Sequence, residues 1–143
     1  KLKANYFSRF TNLPVISDDS GLCIKALGGK PGIYSARWAK KYGSFKKAMK
    51  FILRKMKKKT NRSATFVSSL SLKYPKGKMI SATGKIRGSI SYRIIGNKGF
   101  GYDSIFIPHS KDITFGQMPK LQKIRIDHRY IAFKKMKRKI KTF

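Results

Sequence analysis

Apolar and polar residues recur along this chain with two different periods, and the period changes at recognisable punctuation. Leu2, Tyr6 and Phe10 repeat every four residues over 1–10, which predicts a helix with one apolar face, ended by Thr11-Asn12. Leu13 to Ile16 is a short apolar run that predicts a buried strand. Gly28-Gly29-Lys30-Pro31-Gly32 reads as a loop. Ser44 then precedes Phe45, Ala48, Met49, Ile52, Leu53 and Met56, at i, i+3, i+4, i+7, i+8 and i+11, with Lys or Arg filling most of the opposite side. That is a capped amphipathic helix with its apolar stripe on the core.

Residues 64–73 carry strand-type content, with Phe66, Leu70 and Leu72 on one parity. The turn Tyr74-Pro75-Lys76-Gly77-Lys78 predicts a hairpin into Met79 to Thr83, and the alternation of Ile86, Gly88, Ile90, Tyr92 and Ile94 predicts a third strand. After the glycine-dense stretch 96–101, Tyr102 to Pro108 is a further strand candidate. From about Met118 to Ile140 the chain reads as helix around Ile131, Met136 and Ile140. This order of elements argues for a mixed α/β fold in one domain spanning 1–143, with no internal repeat and no linker.

The first apolar run ends in Asp18-Asp19-Ser20-Gly21. Neighbouring carboxylates repel unless a cation or a shared proton relieves them, so the pair reads as a metal or catalytic site delivered at a strand's carboxyl edge. Asp-Ser-Gly is equally ordinary turn or cap chemistry. Composition sharpens the first reading. The 143 residues hold 35 Lys plus Arg against five acidic residues, all Asp, for a formal charge of +30. Such a charge attracts polyanions, and weak, salt-sensitive adhesion to nucleic acid is expected. The cations are nevertheless scattered along the whole length instead of forming one basic arm. Hydrophobic content of 41% marks a globular chain, and the lone Cys23 excludes an internal disulfide and reads as a buried small hydrophobe. No apolar run approaches the ~20 residues that span a bilayer, and no secretory leader is evident, so a cytoplasmic protein is expected.

Two more clusters carry candidate chemistry. Gly99-Phe100-Gly101-Tyr102-Asp103 combines permissive backbone with flat aromatic surface, although a tight turn would also suit it. Lys123 with Asp127-His128-Arg129 can converge on an anion or a purine edge, or simply end a surface helix. Walker-type spacing, zinc-ligand spacing and a Ser-His-Asp arrangement are all missing.

Taken in order, these clusters resemble the inosine/xanthosine triphosphate pyrophosphatases. The matching text is Leu13-Pro14-Val15-Ile16-Ser17-Asp18-Asp19-Ser20-Gly21-Leu22, the run Ala26 to Trp38, Gly99 to Phe106, Thr114-Phe115-Gly116-Gln117-Met118 and His128-Arg129. The resemblance implies an elongated mixed sheet flanked by helices, in two lobes with a central nucleotide cleft. It implies Mg2+-dependent hydrolysis of ITP, dITP and XTP to monophosphate and pyrophosphate, and a homodimer. Carried over, Asp19 is the general base and a metal ligand, and Asp18 a second metal-side carboxylate. Ser20, Phe100, Gly101, Tyr102, Asp103, Lys123, His128 and Arg129 become substrate-binding residues.

The chain departs from the family pattern in several places. The family's first strand and its phosphate-gripping Ser/Thr-x-Asn-x-x-Lys loop fall outside this sequence, as does an acidic residue upstream of Lys3-Ala4. Gln117, Asp127 and Ser104 replace commoner residues. The expectation is an N-terminally truncated pyrophosphatase of weak or no activity. The alternative is an inactive basic remnant that binds nucleotides or nucleic acid.

Overall fold

Ser63–Lys73 (β3) and Met79–Ile90 (β4) form the hairpin that the turn at 74–78 predicts, and the sheet grows outward from it. The computed structural model describes residues 2–142. Val15–Ile24 (β1) pairs antiparallel with β3 along its whole length, from Val15 opposite Lys73 to Ile24 opposite Ala64. Pro31–Gly32 (β2) adds to β1, and Phe106–Pro108 (β5) adds to β4. The order is β2-β1-β3-β4-β5. The α/β class is as expected, and all four pairings are antiparallel, where a mixed sheet was expected.

Strand alternation divides the sheet into two unlike faces. One face presents Leu22, Ile24, Ala64, Phe66 and Ile90. The helix Phe45–Met56 (α3) covers it with Ala48, Met49, Ile52 and Met56, together with Phe106, Phe115 and Met118. Ser44 caps α3 by accepting from the Lys47 N–H at 3.1 Å, as its spacing predicts. On the same face the helix His128–Lys141 (α5) packs Met136 against Leu72, Ile80 and Ala82. The other face carries the helix Leu2–Thr11 (α1), against β1 and β3.

Several boundaries differ from the sequence reading, each for a physical reason. β1 does not end at Ile16; it continues to Ile24, because the polar run 17–21 is held by pairing with Val67 to Ser71. Its start is not buried, since Leu13 and Ile16 are exposed. Met79–Ile90 is one strand, not two, and 91–102 is irregular with Tyr92 in solvent. Tyr102 to Pro108 contributes only β5, after a helical turn at Asp103–Ile105. The C-terminal helix is two helices, Lys120–Ile126 (α4) and α5, broken where Asp127 accepts from the Tyr130 N–H at 2.8 Å and caps α5. Ser35–Tyr42 (α2) is a helix that the sequence reading did not assign, although Ser35, Trp38, Ala39 and Tyr42 fall at i, i+3, i+4 and i+7 on its inward side. The α1 stripe faces outward: Leu2 is 88% and Phe10 80% exposed, and the helix seats itself through the small residues Ala4 and Ser8.

α5 can lie this close to β4 because residue 84 has no side chain. A Cβ there would run into the His128 carbonyl oxygen and the Ala132 backbone nitrogen. Gly84→Ala is therefore expected to cost about 3 kcal/mol, the upper end for overpacking against backbone. Urea unfolding checks this; an unchanged midpoint would mean that α5 is not seated on Gly84.

Candidate active site

β1 brings the acidic pair to the middle of the sheet, not to the strand's end. Because neighbouring residues on a strand point oppositely, Asp18 and Asp19 face different sides and do not converge on one ion. Asp19 lies on the α1 side, where Lys3 Nζ donates to its Oδ1 at 2.7 Å between two exposed side chains. Asp18 lies on the α5 side. Its Oδ1 accepts from Ser20 Oγ at 2.7 Å and Ser68 Oγ at 3.0 Å, and its Oδ2 accepts from Arg129 Nε at 2.7 Å. Burial would raise the Asp18 carboxyl, but the Ser20, Arg129 and Ser68 hydrogen bonds and the Arg129 charge outweigh it and hold it below the usual carboxylate range.

The second cluster is built around a buried ion pair. Lys123 Nζ donates to Asp103 Oδ2 at 2.5 Å, with both residues almost fully enclosed. The same Oδ2 accepts the Phe100 N–H at 2.7 Å, which closes the loop 99–103 on itself. Gly99 is required here, at φ +73°, since a Cβ would strike that carboxylate. Burial pushes the Asp103 carboxyl up, against the pull of Lys123 and the Phe100 N–H. The pair thus fixes α4 to the loop and leaves Phe100 standing in solvent, 60% exposed. Lys123 and Arg129 lie 5.0 and 4.7 Å from its ring centroid. Tyr102 is buried; its hydroxyl donates to the Ser35 carbonyl at 2.8 Å, and burial with the Tyr42 charge pushes its phenol up to about 12.

His128 completes the site. Its ring stacks on Phe66 at 4.8 Å with 9° between planes. Burial, then the Arg129 and Lys123 charges, lower its pKa to about 3, against a weak opposing pull from Asp18. The imidazole is therefore neutral near pH 7. Arg129 Nη1 lies 3.3 Å from Nε2, and guanidinium only donates, so Nε2 accepts and the ring proton sits on Nδ1. That buried Nδ1 has no protein partner.

A cavity of about 150 Å³ joins all three clusters. Ser20, Phe100, Gly101, Tyr102, Asp103, His128 and Arg129 all line it. Lys123 does not; it lies behind the cavity and acts through Asp103. Asp19 is also outside it, on the other face. The sequence reading missed Phe45, whose ring meets Tyr102 edge-on at 5.3 Å. It also missed Ser35, which donates to the Gly32 carbonyl, accepts the Leu22 N–H and so pins β1 to the loop before α2. Ser68 left a legible signal, being the one hydroxyl among Ala64, Phe66, Leu70 and Leu72 on the apolar parity of β3. Among the described residues no group of three or more His, Cys, Asp or Glu could hold a metal ion.

The neutral His128 makes stability pH-dependent. Below about pH 6.5 the unfolded chain takes up a proton that the folded ring refuses until about pH 3, so stability falls across that window as pH falls. Roughly 2 kcal/mol is expected to be lost over the first two pH units, since withholding one proton costs about 1.4 kcal/mol for each pH unit crossed. Urea midpoints measured from pH 7 to 4.5 should fall more steeply for the wild type than for His128→Gln; parallel profiles would place the proton-sensitive group elsewhere.

The model of the Ham1 family matches residues 1–139. A dITP/XTP pyrophosphatase of Caulobacter vibrioides is 39% identical over 138 residues, which is 95% of this chain and 71% of that protein. One of Clostridium tetani is 40% identical over 129 residues, 90% of this chain and 64% of that protein. Among solved structures, the Staphylococcus aureus Ham1 protein superposes with a TM-score of 0.92 at 37% identity, covering 99% of this chain and 73% of that one. The nucleoside-triphosphatase or dITP/XTP pyrophosphatase of Mycobacterium abscessus superposes at 0.80 with 33% identity, covering 94% and 69%. The chain thus spans about two thirds to three quarters of the length of these relatives.

Proposed function

The chain belongs to the Ham1 family, and on that premise we propose that it is a nucleoside triphosphate pyrophosphatase that clears non-standard purine nucleotides from the pool. ITP, dITP and XTP would be hydrolysed to monophosphate and pyrophosphate. The observation that supports this most is the meeting, in one cavity, of Ser20, the Phe100 to Asp103 loop and His128-Arg129 from distant parts of the chain. The alternative of an inactive basic remnant finds no support among the relatives.

The cavity suits a flat heterocycle with a carbonyl on its edge. Phe100, Phe45 and Tyr102 supply aromatic surface. Arg129 offers guanidinium donors, and His128 holds an Nδ1–H with no acceptor in the protein. A 6-oxo purine would answer these donors. The 6-amino group of adenine would face donors with a donor, losing its hydrogen bonds while remaining desolvated. Neutrality of His128 matters less for charge than for fixing which ring nitrogen carries the proton.

For the phosphates, the resemblance makes Asp19 the carboxylate that accepts a proton from the attacking water, although it stands on the sheet face opposite the cavity. It is half exposed, and its tie to Lys3 crosses solvent. The bond broken is the one between the α-phosphorus and the oxygen bridging to the β-phosphate. The water oxygen becomes the new monophosphate oxygen, and pyrophosphate leaves. Mg2+ fits at Asp19, since this ion takes one or two carboxylates and fills the rest of its shell with water and phosphate oxygens. When bound it neutralises charge on those oxygens. Asp18 does not fit as a second ligand; both its oxygens are occupied by Arg129, Ser20 and Ser68, and it points away from Asp19. Its role in this reading is to orient Arg129 at the cavity. Homodimeric assembly and a cytoplasmic setting belong to the same reading on the strength of the resemblance. Among the described residues no helix is long and apolar enough to cross a membrane.

Pyrophosphate release is the direct test. ITP is expected to be turned over at least tenfold faster than ATP, with release dependent on Mg2+. Asp19→Asn is expected to cut the rate by about 100-fold or more, as loss of a general base does. Equal rates on ITP and ATP, or an unimpaired Asp19→Asn variant, would remove the assignment.

A further inference from the structure

A hollow of about 710 Å³ lies on the sheet face opposite α3 and α5, beyond the part that α1 covers. Its floor is the outward parity of three strands: Cys23 from β1, Ser63 and Thr65 from β3, Arg87 and Ser89 from β4. Cys23 is half-buried here rather than enclosed in the core. Lys25 walls one end, and the turn at 109–111 walls the other. The His109 N–H donates to the Arg87 carbonyl at 2.9 Å and anchors that turn on β4.

The lining chemistry is one-sided. Lys25, Arg87 and Lys111 are exposed cations, joined by the His109 imidazole and the hydroxyls of Ser63, Thr65, Ser89 and Ser110. No carboxylate lines the hollow. The ion pairs among the described residues are Lys3–Asp19, Lys123–Asp103 and Arg129–Asp18, so none of these three cations has an acidic partner. Nor do their side chains donate to any other protein group among the described residues. Phe, Tyr and Trp are missing from the lining as well. Unpaired cations with hydroxyl donors on a concave floor match phosphodiester oxygens, and the lack of aromatic rings means that bases are not stacked.

We propose that this trough binds the phosphate backbone of single-stranded nucleic acid without sequence preference. A duplex presents a convex cylinder that a hollow of this size does not admit, whereas a single strand can lie along it. The formal charge of +30 supplies long-range attraction to any polyanion, and the trough is where that attraction becomes a seat. The site is on the opposite face from the nucleotide cavity and does not rest on the pyrophosphatase reading.

The test separates a seat from bulk charge. Lys25, Arg87 and Lys111 are changed together to Ala. A control protein carries Lys50→Ala, Lys137→Ala and Lys141→Ala, exposed positions on α3 and α5. Both proteins lose the same formal charge. Affinity for a labelled oligodeoxythymidine is measured by fluorescence anisotropy across a salt series, and circular dichroism confirms that both proteins are folded. The trough variant is expected to bind at least tenfold more weakly, with its salt slope reduced by about 2, as loss of three phosphate contacts to a single strand requires. The control is expected to stay within threefold of the wild type. Equal losses in the two variants would overturn the proposal, since charge alone would then explain binding. So would an unchanged affinity of the trough variant accompanied by an altered sedimentation coefficient, which would make this face a contact between copies of the chain.

Discussion

Everything at the candidate site hangs on the register of β1 against β3. Ten consecutive pairs, from Val15–Lys73 to Ile24–Ala64, leave no freedom to slip. A shift of one residue would exchange the two faces, sending Leu22 and Ile24 to solvent and Asp19 toward Arg129. The register is held by the apolar parity at one end of the strand, where Leu22, Ile24 and Phe66 are buried under α3. The acidic residues ride on that placement. Asp18 is therefore tied to Arg129 beside the cavity, and Asp19 lies on the other face beside Lys3. Two identical side chains in adjacent positions acquire different surroundings purely from strand geometry.

The scarcity of carboxylates makes each one informative. Of the five Asp residues, Asp18 and Asp103 hold cations at the cavity, Asp127 caps α5, and Asp19 meets Lys3. The Asp103–Lys123 pair is the most enclosed, and a buried pair gives little net stability once desolvation is counted. Its value lies in position: one carboxylate oxygen fixes both a lysine from α4 and the Phe100 backbone, so α4 and the glycine loop share a hinge point. The same logic applies to Asp18, where three donors with different origins define one direction for Arg129.

How much of this was legible depended on range. The clusters around Asp18, Phe100 and His128 are short contiguous runs, and each could be read from residue types alone. That they share one cavity rested on resemblance, since no local rule brings residues 20, 100 and 128 together. Strand ends were misread where polar residues sit inside a strand, as at 17–21, because Asp, Ser and Gly also make turns and only the partner strand decides. Gly84 falls between two stretches that read as separate strands, yet it is a site of close helix approach within one. The helix break at Asp127 is a cap whose acceptor role shows only in three dimensions. On α1 the apolar stripe misled because small residues, not large ones, make its seat. Ser68 shows the reverse case: a hydroxyl interrupting an apolar parity is a visible anomaly, and its partner lies 50 residues away.

The extreme charge bears on specificity rather than on fold. With 35 cations against five carboxylates, any triphosphate is drawn to this surface regardless of its base. Attraction of that kind strengthens binding to ATP and ITP alike, so it contributes nothing to choosing between them. In the proposed function, discrimination comes from groups whose hydrogen bonds differ between purines. In this chain those groups are few: the neutral His128 with its unpartnered Nδ1, and the Arg129 that Asp18 holds in place. A buried donor left without an acceptor costs about 1–3 kcal/mol, which is the scale on which a 6-oxo and a 6-amino purine are separated. In the proposed function, the polarity of this small cavity, not the abundant charge outside it, therefore sets which nucleotide the chain distinguishes.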